Sequence, residues 1–326
     1  MREYSFLLAC LLLLPACAAQ TREGEVVANL AAGRVIIDVA HDGMVIGAIA
    51  EPLEPDSLPP RFVDVGGARV AVMLGAVEWT RPGSQAKPAR VEQGFQPLSG
   101  NYNLELQTKP FAAGDIETIG VQFLEHIRPL VARLHNRLSL APDEPVFEVV
   151  LADYAPDGVP EAWLLTYRVR QSAFREDYYL TSVLRPGYTQ LYPPEKHAPR
   201  TLIEVRYPQS PSSGPSVTPG QRQDSLLDLL RGQDPRFVRA GSSDAKVGRV
   251  IEQVTSGRSQ DSHLADAQDF MHAALTILAG SHNMSLGVLT EEHGFNWIVP
   301  PSESLEKTEE KRNQPPEAPS LLHRPY

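Results

Sequence analysis

The sequence predicts an α+β fold, and three observations carry that prediction. Short β-branched runs punctuated by Gly, Pro and Asp crowd residues 31–80. One long amphipathic helical pattern follows near residue 116. Strand-like and helical runs then come in blocks instead of strict alternation. The expected organisation is a small β-rich N-terminal module, then a helix packed on a four-stranded antiparallel sheet, then a smaller helix-plus-hairpin unit.

In the first block Val35, Ile37 and Val39 alternate with Arg34, Ile36 and Asp38, and the chain turns at Asp42-Gly43 before Met44-Val45-Ile46. A D-G pair between β-branched runs signals a hairpin whose two central residues need positive φ. Arg61–Val65, Gly66-Gly67 and Arg69–Trp79 repeat the arrangement, and the four prolines of residues 51–60 mark the loop between the hairpins. Residues 81–110 read as a connecting segment.

Residues 111–207 form the α+β block. Ile116, Ile119, Phe123, Ile127, Leu130, Val131, Leu134 and Leu138 recur at three- and four-residue steps, one apolar helical face with Asp115 as its N-cap. Pro129 interrupts that pattern, where it kinks or splits a helix. Four strand-like runs follow, 146–151, 162–170, 177–184 and 202–207. In the second, Trp163, Leu165, Tyr167 and Val169 alternate with Leu164, Thr166, Arg168 and Arg170, the pattern of a half-solvated antiparallel strand. One helix laid on these four strands would bury both apolar faces.

Residues 208–223 are rich in Pro, Ser, Gly, Thr and Gln and read as a linker. In 224–299, helical patterns fall at 225–230, 244–254 and 262–278, and two strands with a turn at Glu291–Gly294 close the unit. The charged, Pro-rich stretch 300–326 has the composition of a disordered tail.

Composition bounds the function. The formal net charge of −10 opposes binding to nucleic acid or to anionic headgroups, because like charges repel. The only two cysteines are Cys10 and Cys17, so the chain beyond residue 17 has no thiol for a disulfide, a thiolate metal site or a nucleophile.

The N-terminus carries an address. After Arg2 comes an apolar run, Phe6–Leu14, too short for a permanent bilayer span and closed by small residues, the form of an export signal over residues 1–16. Leu14-Pro15-Ala16-Cys17 resembles the lipobox of bacterial lipoproteins. The resemblance implies cleavage before Cys17, a diacylglyceryl group on its thiol, and attachment to a membrane through residues 17–30 as a tether. Ala18 lacks the aspartate associated with inner-membrane retention in such lipoproteins, which implies an outer-membrane lipoprotein facing the periplasm or the cell surface. Read as an A-x-A site instead, Ala16-Cys17-Ala18 yields a soluble product.

Motifs for chemistry are weak. No H-E-x-x-H or H-x-H occurs among the nine histidines, and no metal or other cofactor is expected. Asp261, His263, Asp266, Asp269 and His272 project onto the polar side of an amphipathic helix whose apolar arc is Leu264, Ala267, Phe270, Met271, Ala274 and Leu278. Ser243-Asp244-Ala245-Lys246 fits S-x-x-K, in which a lysine one turn away takes the serine proton, and this superficially resembles penicillin-binding enzymes. Ser281-His282-Asn283 is a second partial match, but Lys307-Thr308 ends in Glu309 where that family has glycine. The bland alternative makes Ser242 or Ser243 a helix N-cap. Glu291-Glu292-His293 reads as an exposed charged turn, and Arg168, Arg170, Arg175, Glu176 and Asp177 as cross-strand ion pairs. Tyr178, Tyr179, Tyr188 and Tyr192 form the candidate binding surface, since tyrosine is amphipathic and low in rotamer entropy. The functional expectation is an exported, lipid-anchored binding or assembly module without catalytic activity, its partners the membrane and envelope proteins. The alternatives are an envelope serine hydrolase using Ser243 and Lys246, or a small-ligand carrier.

Overall fold

The computed structural model describes residues 27–50, 58–65, 68–80, 89–90, 96–97, 115–132, 145–175, 178–194, 202–207, 225–258, 261–279 and 284–301. The elements run β1 (Val27–Ala31), β2 (Gly33–Ala40), β3 (Gly43–Ala50), β4 (Arg61–Asp64), β5 (Val70–Thr80), β6 (Ala89–Arg90), β7 (Gln96–Pro97) and α1 (Ile116–Ala132). Then follow β8 (Pro145–Tyr154), β9 (Pro160–Arg175), β10 (Tyr178–Val183), β11 (Gly187–Tyr192) and β12 (Leu202–Tyr207). The last block is α2 (Leu226–Arg231), α3 (Pro235–Ser243), α4 (Ala245–Ser256), α5 (Leu264–Ala279), β13 (Met284–Thr290) and β14 (Gly294–Val299).

These strands form two antiparallel sheets. The first has the path β10-β9-β8-β5-β4-β7, with β1 and β6 also on β5 and β11 on β9. The second has the order β12-β2-β3-β13-β14. The α+β class holds, and the finer partition differs. The strands of residues 31–80 do not stay together: β2 and β3 belong to the second sheet, while β1, β4 and β5 belong to the first, and β1 begins within the predicted tether. Of the four strands expected to form one sheet, β8, β9 and β10 do so, and β12 leaves to pair with β2.

Burial explains the rearrangement. Val35, Ile37, Val39, Met44 and Ile46 of the second sheet meet Val70, Val72, Leu74, Val150 and Ala162 of the first. On the other face, Ile36, Val45, Ile49 and Leu286 pack beneath α2–α5 through Leu226, Phe237, Val250, Phe270 and Leu275. The outer face of the first sheet, with Met73, Val149, Leu165 and Tyr167, is covered by Ile119, Phe123 and Ile127 of α1. The result is four layers: helix, sheet, sheet, helices. All eight residues of β2 are buried, so its alternation separates two covered faces. The same holds for the centre of β9, where Ala162 and Leu164 point to the second sheet and Leu165 and Tyr167 to α1, so the half-solvated reading fails there.

Local signals account for the helices. Asp115 caps α1, its Oδ1 accepting from the Thr118 amide at 2.8 Å, and those hydrogen bonds hold its carboxyl below the usual range. Pro129 lies within α1, while Leu134 and Leu138 lie outside the described residues. Helix α3 was not expected, because Phe237 is its one buried side chain and gives no periodic stripe. Its start is nevertheless written in the sequence: Asp234 is the N-cap and Pro235 follows at the first helical position. Against β3, α5 sits close because Gly47 has no side chain: a Cβ there would lie 2.7 Å from Leu275.

The hairpins form where expected, with one different cause. The β2–β3 turn places His41 and Asp42 between the paired Ala40 and Gly43. Neither central residue has positive φ: among the described non-glycine residues only Gln233 does, so the D-G rationale does not apply. Gly43 starts β3 and is needed for space, since a Cβ would lie 3.0 Å from both Leu264 and the Leu289 carbonyl.

Gly75 positions the end of the sandwich. Its φ is +86°, and a Cβ would fall 2.6 Å from the Val146 carbonyl and 3.1 Å from the Tyr207 ring. The Tyr207 hydroxyl donates to the Pro145 carbonyl at 3.1 Å, which fastens β12 across the first sheet. Gly75→Ala is therefore expected to lower the urea midpoint, with ~1–3 kcal/mol from backbone strain before any displacement of Tyr207. Gly187→Ala is the control, because its nearest neighbour lies 3.9 Å away, and it should leave the midpoint nearly unchanged.

Candidate functional site

Three turns meet at one end of the sandwich, together with the start of α5. The β8–β9 turn has Pro156 at its second position; the Gly158 amide donates to the Ala155 carbonyl at 2.8 Å, and Gly158 takes φ +80°. The β13–β14 turn is the three-residue loop Glu291–His293 closed by Gly294 at φ +64°, a geometry a Cβ disfavours. The third is His41–Asp42.

Hydrogen bonds and close packing lock these turns together. The Tyr154 hydroxyl donates to the Leu289 carbonyl at 3.2 Å, joining the two sheets beside the turns. The Glu291 carboxylate lies over Gly158, where a Cβ would come within 3.0 Å of it. Asp42 Oδ1 accepts from the Leu264 amide at 2.6 Å, so a residue distant in sequence caps α5. The His41 amide donates to the Ser262 carbonyl at 3.0 Å, and the His41 and His263 rings stand 6.3 Å apart, edge to face. Behind the turns Arg69 Nε meets Asp153 Oδ2 at 2.8 Å. Burial raises the Asp153 carboxyl above its usual range, and Arg69 opposes that rise.

Electrostatically this end is acidic. Asp42, Asp157, Glu291 and Glu292 are exposed there, interleaved with exposed His41, His263 and His293. Tyr154 registers the field: burial, then the Glu291 and Asp42 carboxylates, push its phenol up to about 12. The His293–Glu292 pair is 3.7 Å apart and largely exposed, so it adds little stability. The arrangement presents carboxylates and imidazoles on turns held by a rigid scaffold, the construction by which loops bind. Among the described residues no group of three or more His, Cys, Asp or Glu could hold a metal ion.

Of the four predicted tyrosines, the side chains of Tyr188 and Tyr192 are described, and they lie on opposite faces of the first sheet. Strands β10 and β11 lie end to end along one edge of β9, and the backbones of Tyr178 and Tyr179 pair with Arg175 and Ala173. The Tyr178 and Tyr179 side chains lie outside the described set. Tyr188 packs on the α1 side, against Gly120, and its hydroxyl donates to the Glu117 carbonyl at 3.4 Å. A bulge between Gln190 and Tyr192 turns Tyr192 to the opposite face, where it is buried between the sheets. Cys17 lies outside the described residues.

Ser243 and Lys246 each have another partner. Ser243 Oγ donates to the Arg239 carbonyl at 2.9 Å, and Lys246 Nζ donates to Asp269 Oδ2 at 3.5 Å. Asp244, not a serine, is the N-cap of α4. Asp266 pairs with Arg249 at 3.3 Å, so the polar face of α5 is tied to α4. Arg168 is partly buried, and Arg170 is exposed.

The turns were legible singly, and their meeting was not. Pro156-Asp157-Gly158 is a turn sequence, yet nothing local says that it lies against Glu291 or that Asp42 reaches Leu264. No family model matches the chain, and no curated protein matches it. Asp42→Ala is expected to cost ~1 kcal/mol by uncapping α5. Chemical denaturation reads this loss, and an unchanged midpoint would show that the contact contributes nothing.

Proposed function

We propose that this chain is an exported, lipid-anchored bacterial envelope protein that acts as a non-catalytic binding or assembly module through its three-turn end. The address rests on the apolar run ending in Leu14-Pro15-Ala16-Cys17. Among the described residues no helix is long and apolar enough to cross a membrane, which leaves the role of anchor to the lipid in this reading.

The observation that carries the proposal is the direction in which the N-terminal strand leaves the sandwich. Along β5, Val70 stands opposite Ala152 beside the three turns, Gly75 opposite Phe147, and Thr80 opposite Val27. At ~3.3 Å per residue, Val27 lies about 30 Å from the turn end. Cys17 is ten residues before Val27 and can reach at most about 35 Å further. An anchor there is attached through the end opposite the turns, an attachment that favours presenting Asp42, Asp157 and Glu291 away from the membrane.

Intact mass of the protein from the host membrane fraction tests the anchor. The expected product begins at a diacylglyceryl-modified Cys17; an unmodified chain in the soluble fraction removes it. A photo-crosslinking residue at Asp157 or Glu292 then tests the surface. A discrete adduct with an envelope component is expected there and not from Lys246 on the helical layer, and the reverse pattern overturns the assignment.

A further inference from the structure

We propose that Trp163 and the polar side chains around it form a saccharide-binding site on the outer face of the first sheet, beside the β8–β9 turn. The site stands apart from the three-turn reading and does not need the lipid anchor. In β9 the residues Glu161, Trp163, Leu165 and Tyr167 alternate onto the face that α1 packs against. Tyr188, the register partner of Leu165, donates to the Glu117 carbonyl in the first turn of α1. Tyr167 donates to the Gly120 carbonyl at 2.9 Å, and the helix runs on toward β10, away from the turns. Trp163 and Glu161 come before those two tyrosine ties, on the turn side of them. Trp163 packs against the core under α1 and stays partly exposed.

The neighbours of this ring fix it and supply polar atoms. Trp163 Nε1 donates to Glu161 Oε2 at 3.1 Å, which aligns the indole along its strand. Its register partners are Leu151 on β8 and Gln190 on β11, so an aliphatic side chain lies on one side and an amide on the other. Glu161 stands opposite Asp153, which Arg69 meets at 2.8 Å. Glu161, Gln190 and Asp153 are all partly exposed. A pyranose ring has an apolar C–H face and a rim of hydroxyls that both donate and accept. The indole suits the face, and the Glu161 carboxylate and Gln190 amide suit the rim. Charge narrows the class. Arg69 offsets Asp153, Glu161 adds a negative charge, and the chain carries −10 overall. Uronic and phosphorylated sugars are repelled, so the ligand that fits has uncharged rings.

Nitrogen-15 NMR of the full chain tests this, because the sequence holds three indoles, Trp79, Trp163 and Trp297. Tetramers of glucose and of N-acetylglucosamine are the probes, and Trp163→Phe assigns the peak. One tetramer should shift the Trp163 indole alone, with a dissociation constant of about 1 mM or tighter. Glu161→Gln should weaken that binding about tenfold, and Gln190→Ala by less, because a charged acceptor forms the stronger hydrogen bond. No shift with either tetramer overturns the proposal, as does a shift shared by all three indoles. Equal binding of tetragalacturonate overturns the choice of uncharged rings. Tighter binding of tetralysine overturns the site as a saccharide site and gives the surface to a cationic partner.

Discussion

Everything in this structure depends on the second sheet being buried on both faces. Hairpin β2–β3 leaves one residue of its sixteen only partly buried, and that residue ends β3. An antiparallel sheet with two apolar faces cannot end in solvent. It requires a second sheet on one side and helices on the other. The first sheet then has an outer face of its own, which α1 covers. The four layers are thus the consequence of one hairpin that is hydrophobic all round. A chain with no cysteine beyond residue 17 has no disulfide framework there, so packing carries its stability.

Helical periodicity was readable because α1 and α5 are amphipathic against solvent. Strand partition was not, because alternation reports that two faces differ and says nothing of what covers each. Strand β12 shows the difficulty. Leu-Ile-Glu-Val-Arg-Tyr looks half-solvated, yet Glu204 is only 11% exposed. It binds Arg34 at 3.3 Å and Arg206 at 2.8 Å, and accepts from the Leu226 amide at 2.6 Å. Its charges face α2 and not water. Tyr188 and Tyr192 part for a related reason: a bulge, invisible in composition, sends Tyr192 to the face opposite Tyr188.

The two buried glutamates show how a charge is kept in such a core. Glu204 is met by two arginines and a backbone amide through direct hydrogen bonds. At Glu148 burial dominates and raises the carboxyl to about 7, with Arg168 and Thr166 pulling the other way. The first arrangement fixes β12 to β2 and α2. Against the first sheet, β12 is fastened by the Tyr207 hydroxyl on the Pro145 carbonyl.

Hydroxyl-to-carbonyl ties join the two sheets at separate places along the sandwich. At the turn end, Tyr154 joins the sheets through a neutral hydroxyl to a carbonyl, and its phenol is pushed further from ionisation by Glu291 and Asp42. That hydroxyl keeps its proton near neutral pH, so this tie between the sheets does not titrate there. The other tie, Tyr207 on Pro145, lies toward the end through which β1 leaves for the N-terminus. In the proposed orientation that end faces the membrane and the turn end faces a partner. Loosening β12 would leave the geometry of Asp42, Gly158 and Glu291 intact, because no element of that turn cluster is built on β12.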